Sequence, residues 1–275
     1  MAQTHRAALP DRGVLRISGA DAEVFLQGLV TNDVQKAADG LVFAALLSPQ
    51  GKLLCDFFVS RRDSSFLLDC PAAQATALAK RLAMYKLRSA VTIEEAAELS
   101  VEALWGGAGG EADPRLPALG ARRIAPRAEL SEGGDYHAHR IAHAIPEGGV
   151  DFDYGETFPH DACMDVLNGI DFKKGCYVGQ EIVSRMQHRG TARRRVVAVA
   201  GERLAPGAEI MAGAASLGRI GSVAGERGVA IVRLDRAAEA IAGGVEITAG
   251  GAPVTLAIPT WATYAFAAPQ PHDAH

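Results

Sequence analysis

The stretch Lys173-Lys174-Gly175-Cys176-Tyr177-Val178-Gly179-Gln180-Glu181 sets one thiol between two glycines, after two lysines and ahead of residues with helical spacing. Gly175 and Gly179 can adopt positive φ or admit a close neighbour, which a side chain would forbid. Beyond them Ile182, Val183 and Met186 fall on one helical face, while Glu181 and Arg185 lie four apart on the other in the favourable acid-first order. Cys176 is therefore expected just before a helix N-terminus, where free N–H groups, the helix dipole and two lysine charges favour a thiolate. Two readings stay open: a reactive or metal-binding sulfur, or a thiol that packs while the glycines turn the chain. The loop is not a phosphate loop, because no Gly-Lys-Ser/Thr ends it. The patterns G-x-S-x-G, H-E-x-x-H and G-x-G-x-x-G do not occur.

Other clusters carry weaker signals. His137, His139 and His143 in YHAHRIAHAIP would share one face of a strand. Along an extended strand they span about 20 Å, too far to hold one ion, so no metal is expected there. Asp151, Asp153 and Glu156 in VDFDYGET miss the EF-hand spacing and read as an acidic turn. Arg185, His188, Arg189, Arg193, Arg194 and Arg195 form one dense basic region. It reads either as an anion site for a phosphate or acidic partner or as a solvated edge. Without interleaved aromatics to stack bases, direct nucleic-acid binding is not expected.

These side chains need a scaffold, and the composition supports one. With 275 residues, 48% of them apolar and 22% charged, the chain suits two or three packed units. A net charge of −4 excludes general attraction to nucleic acid. MAQTHRAALPDRG lacks the apolar core of a signal peptide, and no apolar run is long enough to span a bilayer, so a cytoplasmic protein without membrane contact is expected. Four cysteines are too few for a disulfide framework, and Cys55, Cys70 and Cys163 lie in apolar settings that suit small core residues.

Along the chain, GVLRISG alternates as a strand and DAEVFLQGLV has helical spacing. LVFAALLS and LLCDFFVS flank Pro49-Gln50-Gly51-Lys52 as a hairpin, FLLDC is a third strand, and PAAQATALAKRLAMYKLR is a helix opened by Pro71. SAVTIEE and LSVEALW return to strand character, and residues 106–118 form a loop rich in Gly and Pro. After Arg195 short alternating segments predict a small antiparallel barrel, and PQPHDAH a frayed tail. Strands, then a helix, then strands argue for an α+β class.

The segment FKKGCYVGQEIVSRMQHRG resembles the signature of the YgfZ family of folate-binding proteins, relatives of the glycine-cleavage aminomethyltransferase and of a mitochondrial iron-sulfur assembly factor. Lys174, Gly175, Cys176, Tyr177, Gly179, Gln180 and Glu181 carry the match. ISGADAEVFLQGLVTNDV, SPQGKLLCDFFV, YKLRSAVTI, IPEGG and FPHDA extend it over most of residues 13–195. The resemblance implies an aminomethyltransferase-like ring of two interwoven α+β units over residues 1–195, with the signature loop at 173–190, and a C-terminal antiparallel β-barrel over 196–275. It implies a monomeric, folate-binding accessory protein that assembles or repairs iron-sulfur clusters in a subset of enzymes, tRNA-modifying radical enzymes among them. Its partners would be assembly proteins and client enzymes. Cys176 would supply a transient sulfur or cluster contact, and tetrahydrofolate would lie near Asn32, Asp33, Tyr136 and Arg140.

The chain also departs from the aminomethyltransferases. Where they carry a catalytic acid, LLDCPAAQATALAK offers Thr76 or Ala77, and their R-x-E-x-G glutamate is replaced by Ala142. Ordinary aminomethyl transfer is therefore not expected. A folate-dependent one-carbon transferase using other residues is the alternative.

Overall fold

The structure, a computed structural model, describes residues 4–107, 109–127, 134–190 and 192–266. The PQPHDAH tail lies outside the described residues. After β1 (His5–Ala8), the alternating RGVLRIS stretch forms β2 (Arg12–Ser18), and AEVFLQ forms α1 (Ala22–Gln27), which buries Phe25 and Leu26. A turn at Ser48–Lys52 joins β3 (Val42–Leu47) to β4 (Leu53–Arg62) in the expected antiparallel hairpin. β5 (Ser65–Pro71) runs through Pro71 into α2 (Ala72–Lys86), whose Ala75, Leu78 and Leu82 are buried. The strands β6 (Thr92–Glu95), β7 (Leu99–Trp105), β8 (Glu111–Ala112) and β9 (Ala121–Pro126) follow.

Two antiparallel sheets result, ordered β3-β4-β5-β2-β6 and β1-β7-β9-β8. The chain starts in the second sheet, crosses to the first for β2 to β6 and returns for β7 to β9, so the two α+β units are interwoven as expected. Leu15, Ile17, Leu26, Phe57, Leu68 and Leu82 form a buried apolar layer between the first sheet and its helices. Each such side chain contributes roughly 1.5–3 kcal/mol on burial.

One element differs from expectation. Residues 136–146 alternate like a strand, yet the chain forms helix α3 (Gly134–Ala142). The four-residue repeat prevails: His139 and His143 meet edge to face at 4.8 Å, while Tyr136 packs its ring 5.8 Å from Trp105. Ala144, at φ +52, and Pro146 then stop the helix.

Helix α4 (Gln180–Arg189) leads into the third sheet. Its strands are β10 (Arg194–Ala200), β11 (Glu209–Ala212), β12 (Ala215–Ala224), β13 (Arg227–Arg233), β14 (Ile247–Ala249), β15 (Ala252–Pro253) and β16 (Thr255–Ala257), with α5 (Leu234–Ala242) packed against them. All pairings are antiparallel, in the order β15-β14-β11-β12-β13-β10-β16. Arg140 of α3 locks this barrel-like sheet to the ring. Its guanidinium donates to Asp151 Oδ2 (3.0 Å), Ile145 O (3.0 Å) and Ser222 Oγ of β12 (2.6 Å). No helix among the described residues is long and apolar enough to cross a membrane.

Candidate functional site

The signature loop is held from three sides. At its start, Asp171 Oδ1 accepts the backbone N–H of Lys173 (2.7 Å) and Lys174 (3.2 Å), and Oδ2 pairs with Lys36 Nζ at 2.8 Å. Burial alone would raise this carboxyl, but the Lys36 bond and the loop amides outweigh it and hold it below its ordinary range. The Lys174 side chain turns inward, donating from Nζ to Gln27 O (2.8 Å), Val30 O (2.6 Å) and Asn32 O (3.0 Å). It thereby satisfies Gln27 O, a carbonyl that the short helix α1 leaves free at its C-terminal end, and two carbonyls of the segment that follows. Burial lowers this ammonium to a pKa of about 8.

The third support is the β3–β4 hairpin. Gly179 has φ +83, and a Cβ there would lie 2.6 Å from Ser48 O and 3.2 Å from Gly51 Cα. Gly51 in turn faces Ile182 of α4. The two glycines let the hairpin turn touch the start of α4. At Gly175 nothing lies within 4 Å, so the close packing expected on both sides of Cys176 exists on one side only.

Tyr177 is buried with Leu47, Leu53 and Val183, and Val178 packs on the first-sheet core. Between buried Tyr177 and open Gly175, Cys176 faces solvent beside the exposed Phe172 and Lys173. Helix α4 begins four residues later, so the thiol precedes the helix by a turn. Gln180 N donates to Tyr177 O (3.3 Å), and Glu181 and Arg185 form the expected exposed pair at 2.7 Å. The other three cysteines are buried. Burial pushes Cys70 up to about 12, Cys163 to about 11 and Cys55 well above the ordinary range, so these thiols stay neutral.

The residues assigned to folate fall in two places, Asn32-Asp33 after α1 and Tyr136 with Arg140 one turn apart on α3, and all four are engaged within the chain. Asn32 donates to Phe43 O (2.8 Å) and Asn168 O (2.7 Å), and Asp33 accepts from Gln35 N and Gln27 Nε2, both at 3.0 Å. Asn32 and Asp33 thus brace the same loop as Lys174. Tyr136 is buried beneath Arg115 and Arg122, which lie 3.1 and 3.3 Å from its hydroxyl. Arg140 belongs to the lock described above. Thr76 and Ala77 are exposed on α2, Thr76 donating to Glu95 at 2.7 Å. In the basic region Arg195 is tied to Asp165 (2.6 Å), whereas His188, Arg189, Arg193 and Arg194 are exposed.

Two charged clusters escaped the sequence reading. Asp69 of β5 accepts from Arg12 Nε (2.6 Å) and Arg122 Nε (2.8 Å), and the Arg115 and Arg122 guanidiniums lie 4.7 and 4.3 Å from the Phe58 ring centroid. An aspartate inside the apolar FLLDC was the available signal, since a buried charge demands a partner. In the second cluster, His137 Nε2 lies 3.6 Å from Asp11 and its Nδ1 3.4 Å from Glu147, whose carboxylate also meets Arg140 Nε at 2.9 Å. Hydrogen bonds to Asp11, then Glu147, raise the imidazole to about 9. The three side chains have metal-ligating atoms within 4.8 Å of one another, but the imidazolium and Arg140 already supply the positive charge.

Residues 193–264 match the family described as CAF17, C-terminal beta-barrel domain. The iron-sulfur cluster assembly factor IBA57, mitochondrial, of Homo sapiens is 33% identical over 92% of this chain and 84% of its own length. The IBA57 homolog of Mycosarcoma maydis, also named mitochondrial, is 34% identical over 70% of this chain and 56% of its own length. That of Neurospora crassa is 32% identical, with 52% of its length covered, so the chain spans about half of these fungal relatives. Among solved structures, the glycine cleavage system aminomethyltransferase T from Bartonella henselae superposes with a TM-score of 0.72 at 14% identity, covering 95% of this chain and 87% of that one. At that identity the likeness shows the fold alone. The mitochondrial names overturn the cytoplasmic expectation and point to the mitochondrion instead. Organelle transit segments are amphipathic and have no apolar core, so the criterion applied to the sequence could not register one.

Proposed function

The chain belongs to the family of the iron-sulfur cluster assembly factor IBA57, which the sequence resemblance placed beside YgfZ, and on that premise we propose that it acts in cluster assembly through the exposed Cys176. The observation that carries this reading is the contrast among the four thiols: three are buried and neutral, and one faces solvent on a loop braced by Lys174, Gly179 and Asp171. Iron-sulfur clusters are cargo held by soft thiolates, commonly about four per cluster. A chain that offers one accessible thiol supplies one ligand, so the remaining ligands come from a partner in the assembly machinery. Contact through a single sulfur suits transfer, because the cluster leaves when one bond exchanges.

Replacing Cys176 with Ala in cells that lack the native copy tests this. Cluster-dependent enzyme activities should fall to the level of cells without the protein, and wild-type activities would refute the role. Measuring the activity of tRNA-modifying radical enzymes in the same cells tests whether they are among the clients. Tetrahydrofolate is a separate proposal, favoured by the aminomethyltransferase-like fold. Asn32, Asp33, Tyr136 and Arg140 do not fit it as they stand, because their polar groups are engaged within the chain. Calorimetric titration with tetrahydrofolate decides the matter, and saturable one-to-one binding would revive one-carbon transfer.

A further inference from the structure

The most exposed large apolar side chains among the described residues all belong to the helix layer of the first sheet: Leu87 (89% exposed), Val24 (77%) and Met84 (76%). Phe25 and Leu26 of α1 join Leu78 and Leu82 of α2 in one core, so both helices cover the same side of that sheet. Asp21, one turn before Val24, donates from N to Ala90 O (3.4 Å) and accepts Ala90 N at Oδ2 (2.7 Å), which ties the start of α1 to the segment after Leu87. Helix α2 is apolar on both faces: Ala75, Leu78 and Leu82 are buried, while Ala73, Ala77 and Met84 are exposed. Leu87 follows the last turn at φ +44, in the left-handed region that disfavours a bulky side chain, and holds that side chain in water. Lys80, Arg81, Lys86 and Arg88 are interleaved with these residues, and no carboxylate occurs from Pro71 to Val91.

Among the described residues none of the four cations makes an ion pair. The carboxylates of adjoining elements are engaged elsewhere: Glu23 with Arg61 at 3.0 Å, Glu95 with Thr76 at 2.7 Å and Asp21 with Ala90 N. The face is therefore apolar and locally basic on a chain of net charge −4, and its complement is an anionic surface. A second copy docked through α2 would set the four cations against themselves. Protruding apolar side chains ringed by long cationic stems suit lipid, because the charged heads meet headgroup phosphates while the apolar groups enter the acyl boundary. Such docking needs no spanning helix, and the described residues contain none. We propose that the outer face of α2, with Val24 of α1, docks on an anionic membrane surface, Met84 and Leu87 entering the lipid and Lys80, Arg81, Lys86 and Arg88 contacting phosphates.

Co-sedimentation of the full chain with vesicles tests the proposal, comparing phosphatidylcholine alone with phosphatidylcholine containing about one-fifth phosphatidylglycerol. Saturable binding to the anionic vesicles is expected, weakened by added salt, with little binding to the neutral ones. Met84→Gln and Leu87→Gln should each weaken it about tenfold, the loss expected for one apolar side chain left outside the lipid. Lys80→Gln and Arg81→Gln should each weaken it about fivefold, the loss expected for one cation near the surface. All four positions are exposed, and circular dichroism confirms that the variants are folded. Ile241→Gln, the same kind of change at an exposed site on α5, should leave binding unchanged. Absence of binding to anionic vesicles overturns the proposal, as does equal binding to both compositions or binding that Leu87→Gln and Arg81→Gln leave intact. A concentration-dependent dimer lost in Leu87→Gln would assign the face to a second copy, and binding of a glutamate-rich helical peptide but not of vesicles would assign it to an acidic protein; either overturns the lipid assignment. None of these outcomes bears on Cys176, so this proposal and the assembly role fail separately.

Discussion

At the scale of single residues, Cys176 separates function from stability. Its side chain is exposed and has no packing role, so Cys176→Ser should change the unfolding free energy in urea by no more than about 0.5 kcal/mol, even where cluster delivery is lost. His137 makes the opposite kind of contribution. Its folded pKa, raised to about 9 by hydrogen bonds to Asp11 and then Glu147, lies above the ordinary 6.5. The stabilisation is therefore fully present below about pH 6.5 and is lost as pH rises through 9. Glu147 behaves in reverse: burial would raise its carboxyl, but His137 and Arg140 hold it well below the usual carboxylate range, so its stabilisation is lost in acid. The difference in stability between wild type and His137→Gln should be constant near pH 6 and shrink between pH 7 and 9. A difference that does not vary with pH would show that His137 is uncharged in the folded protein.

At the scale of elements, the two glycines of the signature loop have different reasons to be there. Gly179→Ala places a side chain in the left-handed region and against Ser48 O, and should destabilise by about 2 kcal/mol or more. Gly175→Ala meets open space and should stay within about 0.5 kcal/mol in the same denaturation experiment. If the two variants cost the same, the hairpin does not brace the loop. Helical spacing in QEIVSRMQHR and the turn at Pro49–Lys52 were legible because they depend on neighbours three to five residues away. Helix α3 was misread because YHAHRIAHAI satisfies alternation and a four-residue repeat at once, and only its packing against Trp105 decides between them.

At the scale of the whole molecule, Arg140 ties the ring to the barrel-like sheet through Asp151 and Ser222. Arg140→Leu strands a buried carboxylate and should lower stability by about 3–5 kcal/mol, read by denaturation followed through Trp105 and Trp261 fluorescence. A loss below about 1 kcal/mol would show that the interlock is held by other contacts. The sequence alone determined the composition class, most strands and helices, the signature motif and, through resemblance, the interwoven fold, because each is encoded in local spacing or in a contiguous pattern. Only the tertiary structure decided that Cys176 is exposed while its three counterparts are sealed, that Gly179 rather than Gly175 is confined, and that Tyr136 and Arg140 face charges inside the chain. Those facts depend on contacts between segments far apart, such as Arg12 with Asp69 or Lys174 with Gln27 and Val30. Burial and ion pairing arise only when the folded chain brings such segments together, so no window of neighbouring residues can contain them.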